Sequence, residues 1–346
     1  NITVIDNKFH SSRVEQLKRW GIKYRQIDIL DSNNLNKEIN DADIIYHLAG
    51  ISDVATVKED ININHEKLVF AVGVEGTRNI INLSSESAKI VFPSTHVIFE
   101  GLKKVKFNID ETHEPSPVLD YAKGKLESEN DLIKSNKNFV ILRLGSLYGK
   151  SFDSTRLNIM PNLFAKISSF NGKITLYSGG KQLKSLVSIN DVVRCMEFVG
   201  ENKKINKEIF NCVNENLSVK DVADLCKKIN KKTDLVITDD PVPNEGYTLT
   251  NKKIRSNGFK FLYNVEDSFR EMIESWSDQS QVLSNEIIES GADEFVDERG
   301  IISNYYVDDS INMIGYVESK KGSIRGNHYH PVQTQKCLLI KGKYIS

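Results

Sequence analysis

The stretch IVFPST, residues 90–95, decides the fold of this chain. It is a short apolar run closed by small polar side chains, which is typical of a buried strand. Similar runs recur along the first two thirds of the sequence and alternate with amphipathic helical stretches. The predicted strands are residues 2–5, 24–29, 44–48, 90–92 and 139–142, and the predicted helices include residues 68–84 and 121–135. This alternation predicts an α/β fold with a parallel sheet covered by helices.

Composition and charge exclude several classes of partner. The 346 residues carry a formal net charge of −1, so no charge surplus points to nucleic acid or to a membrane surface. No apolar run approaches the roughly 20 residues that span a bilayer, and no signal peptide is visible. The four cysteines are scattered without a C-x-x-C pair, as in a reducing compartment. The sequence therefore predicts a cytoplasmic protein without membrane insertion or a nucleic-acid partner.

The sequence also predicts two domains. Residues 277–286 form a polar stretch that has the composition of a linker, with the boundary near Gln281. The first predicted domain is residues 1–280, and residues 287–346 carry short alternating runs with glycines that predict an all-β domain. The chain does not begin with methionine and both ends run into strand-like segments, so we expect a fragment of a longer protein.

An acidic residue stands at the end of the first predicted strand. In doubly wound folds a carboxylate at the end of the second strand binds the adenosine ribose hydroxyls and disfavours a 2′-phosphate. Asp6 therefore suggests NAD rather than NADP, although a turn-forming pair with Asn7 is an equally good explanation. The glycine-rich phosphate loop is absent from the sequence, and we expect it upstream.

Two further strand ends carry residues suited to a cofactor. Asp28 follows the second predicted strand, and the segment HLAG, residues 47–50, ends the third. Small residues at the carboxyl end of a strand let the backbone approach a cofactor closely. We favour a structural role in the core for His47.

Tyr121 and Lys125 are four residues apart in a predicted helix, so their side chains share one face. A nearby cation favours the phenolate, and Tyr121 could then act as a base near neutral pH. Alone, this pair is a common pattern, and it becomes informative only with the other motifs of the sequence.

Six motifs stand in the order found in one known family. They are Asp6-Asn7, Asp28-Ile29, HLAG at residues 47–50, Ser94-Thr95, Tyr121 with Lys125, and RLGSLYG at residues 143–149. In this order they resemble the extended short-chain dehydrogenases, specifically the NAD-dependent epimerase/dehydratase family that acts on nucleotide sugars. The resemblance covers roughly residues 1–275. It implies a Rossmann-type doubly wound sheet with a small substrate-binding subdomain, NAD as cofactor, a nucleotide-sugar substrate and a homodimer.

The resemblance also implies roles for single residues. Thr95 matches the catalytic Ser/Thr, Tyr121 the acid/base, and Lys125 the residue that binds the nicotinamide ribose and lowers the pKa of Tyr121. The implied cofactor-binding residues are Asp6, Asn7, Asp28, Ile29, Leu48, Ala49, Gly50, Tyr121 and Lys125. The implied substrate-binding residues are Ser146, Asn162 and Lys184, with solvated surface as the alternative for Asn162 and Lys184.

Five positions depart from the family pattern. Gly73 and Ser146 stand where the family usually has Asn, and Lys184 stands where it has Arg. Lys supplies the same charge but not the bidentate fork of Arg. His96-Val97 follow the catalytic Thr where the 4,6-dehydratases have Asp-Glu, which argues against dehydration.

Three functions remain open from the sequence. We favour an NAD-dependent nucleotide-sugar epimerase that acts through a transient keto-sugar. Residues 94–101 also resemble the 4-keto-sugar reductases, so a reductase is the alternative within enzymes. A noncatalytic scaffold that binds NAD and a sugar is the alternative of another class.

The predicted second domain carries a histidine motif. Its residues match the first cupin motif with Gln in place of Glu: Gly322, His328, His330, Gln335 and Gly342. The segments DERG, residues 297–300, and RGNHYH, residues 325–330, resemble the cupin-type deoxysugar 3,4-ketoisomerases and 3,5-epimerases, which implies a partial all-β cupin barrel. By that resemblance His328 abstracts a proton next to a ketone. The alternatives are a divalent metal held by His328, His330 and Gln335, or a barrel that only binds sugar.

Overall fold

The fold is seen in a computed structural model that describes residues 2–51, 63–151, 155–242, 244–286, 293–297 and 300–304. The chain divides into two compact units. The first contains Asn1–Lys150 and Arg156–Ser277, and the second contains Ser151–Thr155 and Asp278–Ser346. The motifs of the predicted dehydrogenase site all lie in the first unit.

Short strands and helices alternate through the first unit. Its strands are β1 (Thr3–Asp6), β2 (Lys23–Gln26), β3 (Ile44–Tyr46), β4 (Lys89–Thr95), β5 (Lys106–Ile109), β6 (Asn138–Leu144), β7 (Ser146–Tyr148), β8 (Lys173–Tyr177), β9 (Leu183–Ser188), β10 (Glu208–Cys212), β11 (Glu215–Ser218), β12 (Asp234–Thr238) and β13 (Tyr247–Leu249). The α-helices are α1 (Ser11–Arg19), α2 (Ser32–Ile39), α3 (Ile63–Phe70), α4 (Gly76–Leu83), α5 (Asp120–Lys134), α6 (Met160–Ser169), α7 (Ile189–Glu201), α8 (Val219–Ile229), α9 (Lys252–Ser256) and α10 (Val265–Glu286), of which the residues up to Ser277 belong to this unit. A π-helical turn, Ala71–Glu75, joins α3 to α4, and a 3₁₀ helix, His96–Phe99, follows β4.

The central sheet is parallel, as the sequence predicts. Its strands are hydrogen-bonded in the order β10-β6-β4-β3, while β1 and β2 form a separate parallel pair. Each of the five predicted strands is present, with ends that differ by up to three residues. The largest differences are at the ends of β4 and β2: β4 continues to Thr95, and β2 ends at Gln26 because the chain then turns and the Asp28 carboxylate accepts the Leu30 N–H. A third sheet, β11-β9-β7, lies later in the same unit.

The buried strands explain the apolar run at residues 90–95. Phe92 of β4 and Ile141 of β6 belong to one core cluster, with Leu132 of α5. Val91 and Val140, the alternate residues of the same strands, belong to a second cluster. Because alternate side chains point to opposite faces of a strand, both faces of this sheet are covered. A parallel sheet covered on both faces is the arrangement of a doubly wound fold.

Residues 277–286 are helical, although their composition suggests a linker. The polar stretch at residues 277–286 is not an irregular linker, because α10 continues through it to Glu286. The stretch contains neither Gly nor Pro, so nothing in it stops a helix that begins at Val265. Upstream, Phe269 and Trp276 anchor this helix in a core shared with α6, α8 and β8.

Little of the predicted second domain is described. Its described strands are β14 (Asp293–Asp297) and β15 (Gly300–Asn304), which pair antiparallel. The cupin motif from Gly322 to Gly342 lies outside the described residues, so the predicted barrel stays a prediction. In the part of the chain that is described, no helix has both the length and the apolarity needed to cross a bilayer.

The corner between β6 and β7 requires glycine at residue 145. A Cβ placed on Gly145 would lie 2.6 Å from the Ser185 carbonyl oxygen of β9 and 2.8 Å from Val213. We therefore expect Gly145→Ala to lower the free energy of unfolding by about 1–3 kcal/mol, as overpacking does. Gly73→Ala is the matched control, because a Cβ there would meet no atom within 4 Å. Equal effects of the two variants in urea denaturation would contradict this packing.

Candidate active site

The carboxyl ends of β4 and β6 bring the candidate catalytic residues to one edge of the sheet. Thr95 is the last residue of β4 and pairs in register with Leu144 of β6. Its side-chain oxygen accepts the Val97 N–H at 3.2 Å, which begins the 3₁₀ helix. The Thr95 hydroxyl also lies close enough to the Tyr121 phenol to lower its pKa. The structure therefore brings Thr95 and Tyr121 together.

Lys125 lies one turn after Tyr121 on α5 and is held at the same edge. Its ammonium group donates to the Pro93 carbonyl oxygen at 2.9 Å and stands 4.5 Å from the centre of the Phe92 ring. Burial lowers the pKa of Lys125 to about 8, and the nearby Glu129 carboxylate acts in the opposite direction. Lys125 thus loses its proton at a lower pH than an exposed lysine.

The electrostatics of Tyr121 differ from the expectation. Burial raises the pKa of Tyr121 above its ordinary value, and Arg156 and Thr95 lower it only in part. The cation that acts on the phenol in this structure is Arg156, whereas Lys125 is directed to the Pro93 carbonyl. Sharing a helix face was therefore not sufficient for Lys125 to lower this pKa. Sequence reasoning missed Arg156, which follows β7 in a segment without a recognisable motif.

A buried ion pair ties α5 to the sheet beneath the site. Arg143 of β6 and Glu129 of α5 meet at 2.8 Å, with side chains only 5% and 1% exposed. Ser94 of β4 donates a hydrogen bond to the same carboxylate. Glu129 is four residues after Lys125, so this network fixes the turn that carries Lys125. Glu129 was not among the residues predicted from the sequence, although the spacing Tyr121-Lys125-Glu129 places all three on one helix face.

His47 is buried, and only one of its two ring nitrogens has a hydrogen-bond partner. Nε2 lies 2.9 Å from the Thr77 hydroxyl, which itself donates to the Gly73 carbonyl oxygen. Thr77 must therefore accept from His47, so the Nε2–H tautomer is present. Burial and Lys125 lower the pKa of His47 to about 3, so the ring is neutral. Nδ1 is left buried without a hydrogen-bond partner, and the expected satisfied core histidine is only partly realised.

The predicted cofactor residues fall into two groups. At the ends of β1 and β2, the Asn7 amide donates to the Asp28 carboxylate at 2.9 Å, and Asp6 is exposed and accepts the Lys8 N–H. Ile29 is buried in the core against Gly76. The second group follows β3 and is exposed: Leu48, Ala49 and Gly50.

These residues fit a dinucleotide. Asp6 offers an exposed carboxylate for ribose hydroxyls, and the buried Nδ1 of His47 is an acceptor still without a donor. A Cβ on Gly50 or on Gly73 would meet no atom within 4 Å, so there is open space beside both. A carboxylate acceptor together with an ammonium and a phenol donor suits the hydroxyl and amide groups of a nicotinamide nucleotide.

The three predicted substrate residues have different surroundings. Asn162 is buried, and its side chain accepts the Gly149 N–H and donates to the Arg156 carbonyl oxygen. Solvated surface is therefore the wrong description of Asn162, which holds the segment that carries Arg156. The Ser146 hydroxyl lies 3.3 Å from His96 Nε2. Lys184 is half-buried and lines a small cavity of about 30 Å³ with His96 and other residues.

Metal binding was predicted only for residues of the cupin motif. His328, His330 and Gln335 lie outside the described residues. Within the described residues, no group of three or more His, Cys, Asp or Glu side chains could hold a metal ion.

Comparisons with known proteins agree on the family. Residues 1–212 match the NAD dependent epimerase/dehydratase family. The UDP-N-acetyl-alpha-D-glucosaminuronate decarboxylase of Bacillus cytotoxicus is 24% identical over 238 residues, which are 64% of this chain and 70% of that protein. The N-acetyl-alpha-D-glucosaminyl-diphospho-ditrans,octacis-undecaprenol 4-epimerase of Escherichia coli O157:H7 is 26% identical over 215 residues, 59% of this chain and 60% of that protein.

Solved structures show the same fold. The UDP-glucose 4-epimerase of Thermotoga maritima superposes with a TM-score of 0.67 at 19% identity, covering 82% of this chain and 92% of that one. The UDP-glucuronic acid 4-epimerase of Bacillus cereus gives 0.66 at 19% identity, with 81% and 91% covered. These likenesses confirm a Rossmann-like α/β fold. Since the family match spans more than half of the 346 residues, the chain belongs to the NAD dependent epimerase/dehydratase family.

Proposed function

We propose that this protein is an NAD-dependent nucleotide-sugar epimerase that acts through a transient keto-sugar. The observation that carries the proposal is the meeting of Thr95 and Tyr121 at the carboxyl edge of the sheet, with Lys125 anchored beside them. Two hydroxyls and a cation at this edge are suited to moving a proton to and from a sugar oxygen. Family membership supports the same chemistry.

In the proposed mechanism, each residue acts on a proton or on orientation. Tyr121 accepts the proton of the sugar hydroxyl, and Thr95 donates a hydrogen bond to the sugar oxygen. Lys125 and Asp6 would hold the two riboses of the cofactor. When bound, NAD supplies the acceptor for the hydrogen and electron pair that leave the sugar carbon. Tyr121 then returns the proton to the oxygen when the keto-sugar is reduced from its opposite face.

The pKa of Tyr121 favours the neutral phenol in this structure. A base role therefore requires further positive charge near the phenol. Arg156 already supplies part of it, and an oxidised nicotinamide carries a formal positive charge that adds to it.

The alternative function is a nucleotide 4-keto-sugar reductase. It is supported by His96-Val97, which replace the Asp-Glu of dehydratases in a run similar to those reductases. The sequence motif around His328 extends the proposal to keto-sugar isomerisation or sugar binding by a cupin domain, and a substitution of His328 that leaves isomerisation intact would contradict that extension.

The experiment that tests the function compares cofactor use with product. Purified protein with NAD is incubated with UDP-glucose or UDP-glucuronic acid, and proton NMR follows the anomeric signals. An epimerase yields the inverted sugar with no net absorbance change at 340 nm. A reductase instead consumes reduced cofactor in proportion to a keto-sugar added. Inversion in neither sugar, together with stoichiometric consumption of reduced cofactor, would reject the epimerase.

The pH profile provides a prediction about Lys125. Its pKa is lowered to about 8, so the cation is present below that pH and lost as pH rises through it. We expect kcat/KM to fall above about pH 8, because a neutral amine no longer holds a ribose of the cofactor as a cation. Lys125→Arg keeps its charge and should move this limb to higher pH. If kcat/KM falls at the same pH in wild type and in Lys125→Arg, the fall comes from the titration of another group.

A further inference from the structure

His96 lies between two hydroxyl groups at the edge of the sheet where Thr95 stands. Its Nδ1 is 2.9 Å from the Tyr247 phenol oxygen, and its Nε2 is 3.3 Å from the Ser146 hydroxyl. His96 follows Thr95, and Ser146 is the second residue after Leu144, the register partner of Thr95. The three side chains therefore form a hydrogen-bonded series, Tyr247–His96–Ser146, that ends beside the candidate catalytic residues.

Counting protons fixes the direction of each hydrogen bond. The Tyr247 hydroxyl donates its single proton to the His96 carbonyl oxygen at 2.7 Å. It can then only accept from the ring, so Nδ1 carries the proton. Desolvation of the ring and the nearby Lys184 lower the pKa of His96 to about 3, so the imidazole is neutral and Nε2 is an acceptor. The Ser146 hydroxyl must donate to Nε2.

A hydroxyl group that already donates its single proton in one hydrogen bond can only accept in any further hydrogen bond. We propose that Tyr247 and His96 are positioning residues that fix the Ser146 hydroxyl as an acceptor for one hydroxyl group of the bound sugar. This inference rests on the proposed function, which places a sugar at this edge. It also names a substrate feature, because a ketone or a carboxylate at that position has no proton to donate. An Asn side chain, usual here in the family, would offer both a donor and an acceptor.

The tautomer is testable without any substrate. In protein labelled with ¹⁵N-histidine, two-bond proton–nitrogen NMR spectra distinguish the two neutral tautomers and the cation. His96→Gln identifies the signals of His96 among the seven histidines. We expect a neutral ring with the proton on Nδ1 from pH 6 to pH 8, and a shift towards the Nε2–H form in Tyr247→Phe. A wild-type Nε2–H tautomer, or titration near pH 6.5, would overturn the inference.

The sugar contact is tested by four fluorinated probes. UDP-glucoses with fluorine replacing the hydroxyl at C2, C3, C4 or C6 each lose one donor, and calorimetry measures their binding to the protein with NAD. We expect fluorine at one of these four positions to weaken binding to the wild-type protein about tenfold, which is the usual effect of losing one neutral hydrogen bond. That loss should vanish in Ser146→Ala and shrink in Tyr247→Phe. Tyr177→Phe, at an exposed tyrosine of β8, should keep it.

The outcomes separate the inference from the proposed function. Binding profiles that are identical in wild type and Ser146→Ala overturn the inference and leave the epimerase proposal standing. If UDP-glucose itself does not bind although His96 has its proton on Nδ1, the nucleotide-sugar function fails, and the sugar contact fails with it.

Discussion

Tyr121→Phe is expected to lower turnover by about 10²–10⁴-fold, the usual contribution of a positioned acid/base group. The substitution removes only the phenol oxygen that faces Thr95 and keeps the aromatic ring. The free energy of unfolding should therefore change little, and any loss of NAD affinity from the missing phenol is measured separately. The measurement is kcat for inversion of the sugar, with calorimetry for NAD and urea denaturation as the checks on folding.

Tyr177→Phe is the matched control for this experiment. Tyr177 lies on β8 and is 53% exposed, so loss of its hydroxyl should leave turnover unchanged. Turnover by Tyr121→Phe at the wild-type rate would remove the catalytic interpretation and favour a scaffold that only binds its ligands.

Glu129→Ala is expected to lower the free energy of unfolding by about 3–5 kcal/mol. The reason is that the Arg143 guanidinium, 5% exposed, would remain buried without the carboxylate that it meets at 2.8 Å. Ser94 would lose its acceptor in the same step. Because Glu129 also fixes the turn of α5 that carries Lys125, residual activity should fall as well. Urea denaturation monitored by circular dichroism measures the first effect.

Two variants separate the buried charge from a general effect on the helix. Glu127→Ala removes an exposed carboxylate of the same helix that pairs with Arg78, and its effect should be far smaller. Glu129→Ala combined with Arg143→Met removes both charges, and we expect it to recover part of the lost stability. If the single Glu129 variant is as stable as wild type, the ion pair does not hold α5 to the sheet.

The central strands were predictable from the sequence because burial on both faces leaves a strong signal. Residues 90–92 are apolar without alternation, as expected for a strand with cores on both sides. The helix at Tyr121 was also predictable, within one residue at each end. The extension of α10 through residues 277–286 was missed because polar composition was taken to indicate a linker, whereas a helix already formed needs a stop signal to end.

The candidate site was predictable only where a motif marks it. Thr95, Tyr121 and Lys125 follow from spacing and resemblance. Arg156 could not be predicted, because its proximity to Tyr121 depends on the segment held by Asn162. Proton positions in the hydrogen-bonded series from Tyr247 to Ser146 depend on contacts across 151 and 50 residues of sequence, which no local pattern records.

The most direct test of the central claim is inversion of a UDP-sugar by the protein with NAD in D₂O. If Tyr121 and Thr95 support oxidation and reduction at one carbon, the hydrogen removed returns to the same carbon. NMR of the product should then show protium at the inverted centre, at a rate that collapses in Tyr121→Phe. Deuterium at that centre would show inversion by proton exchange with solvent and would contradict the account.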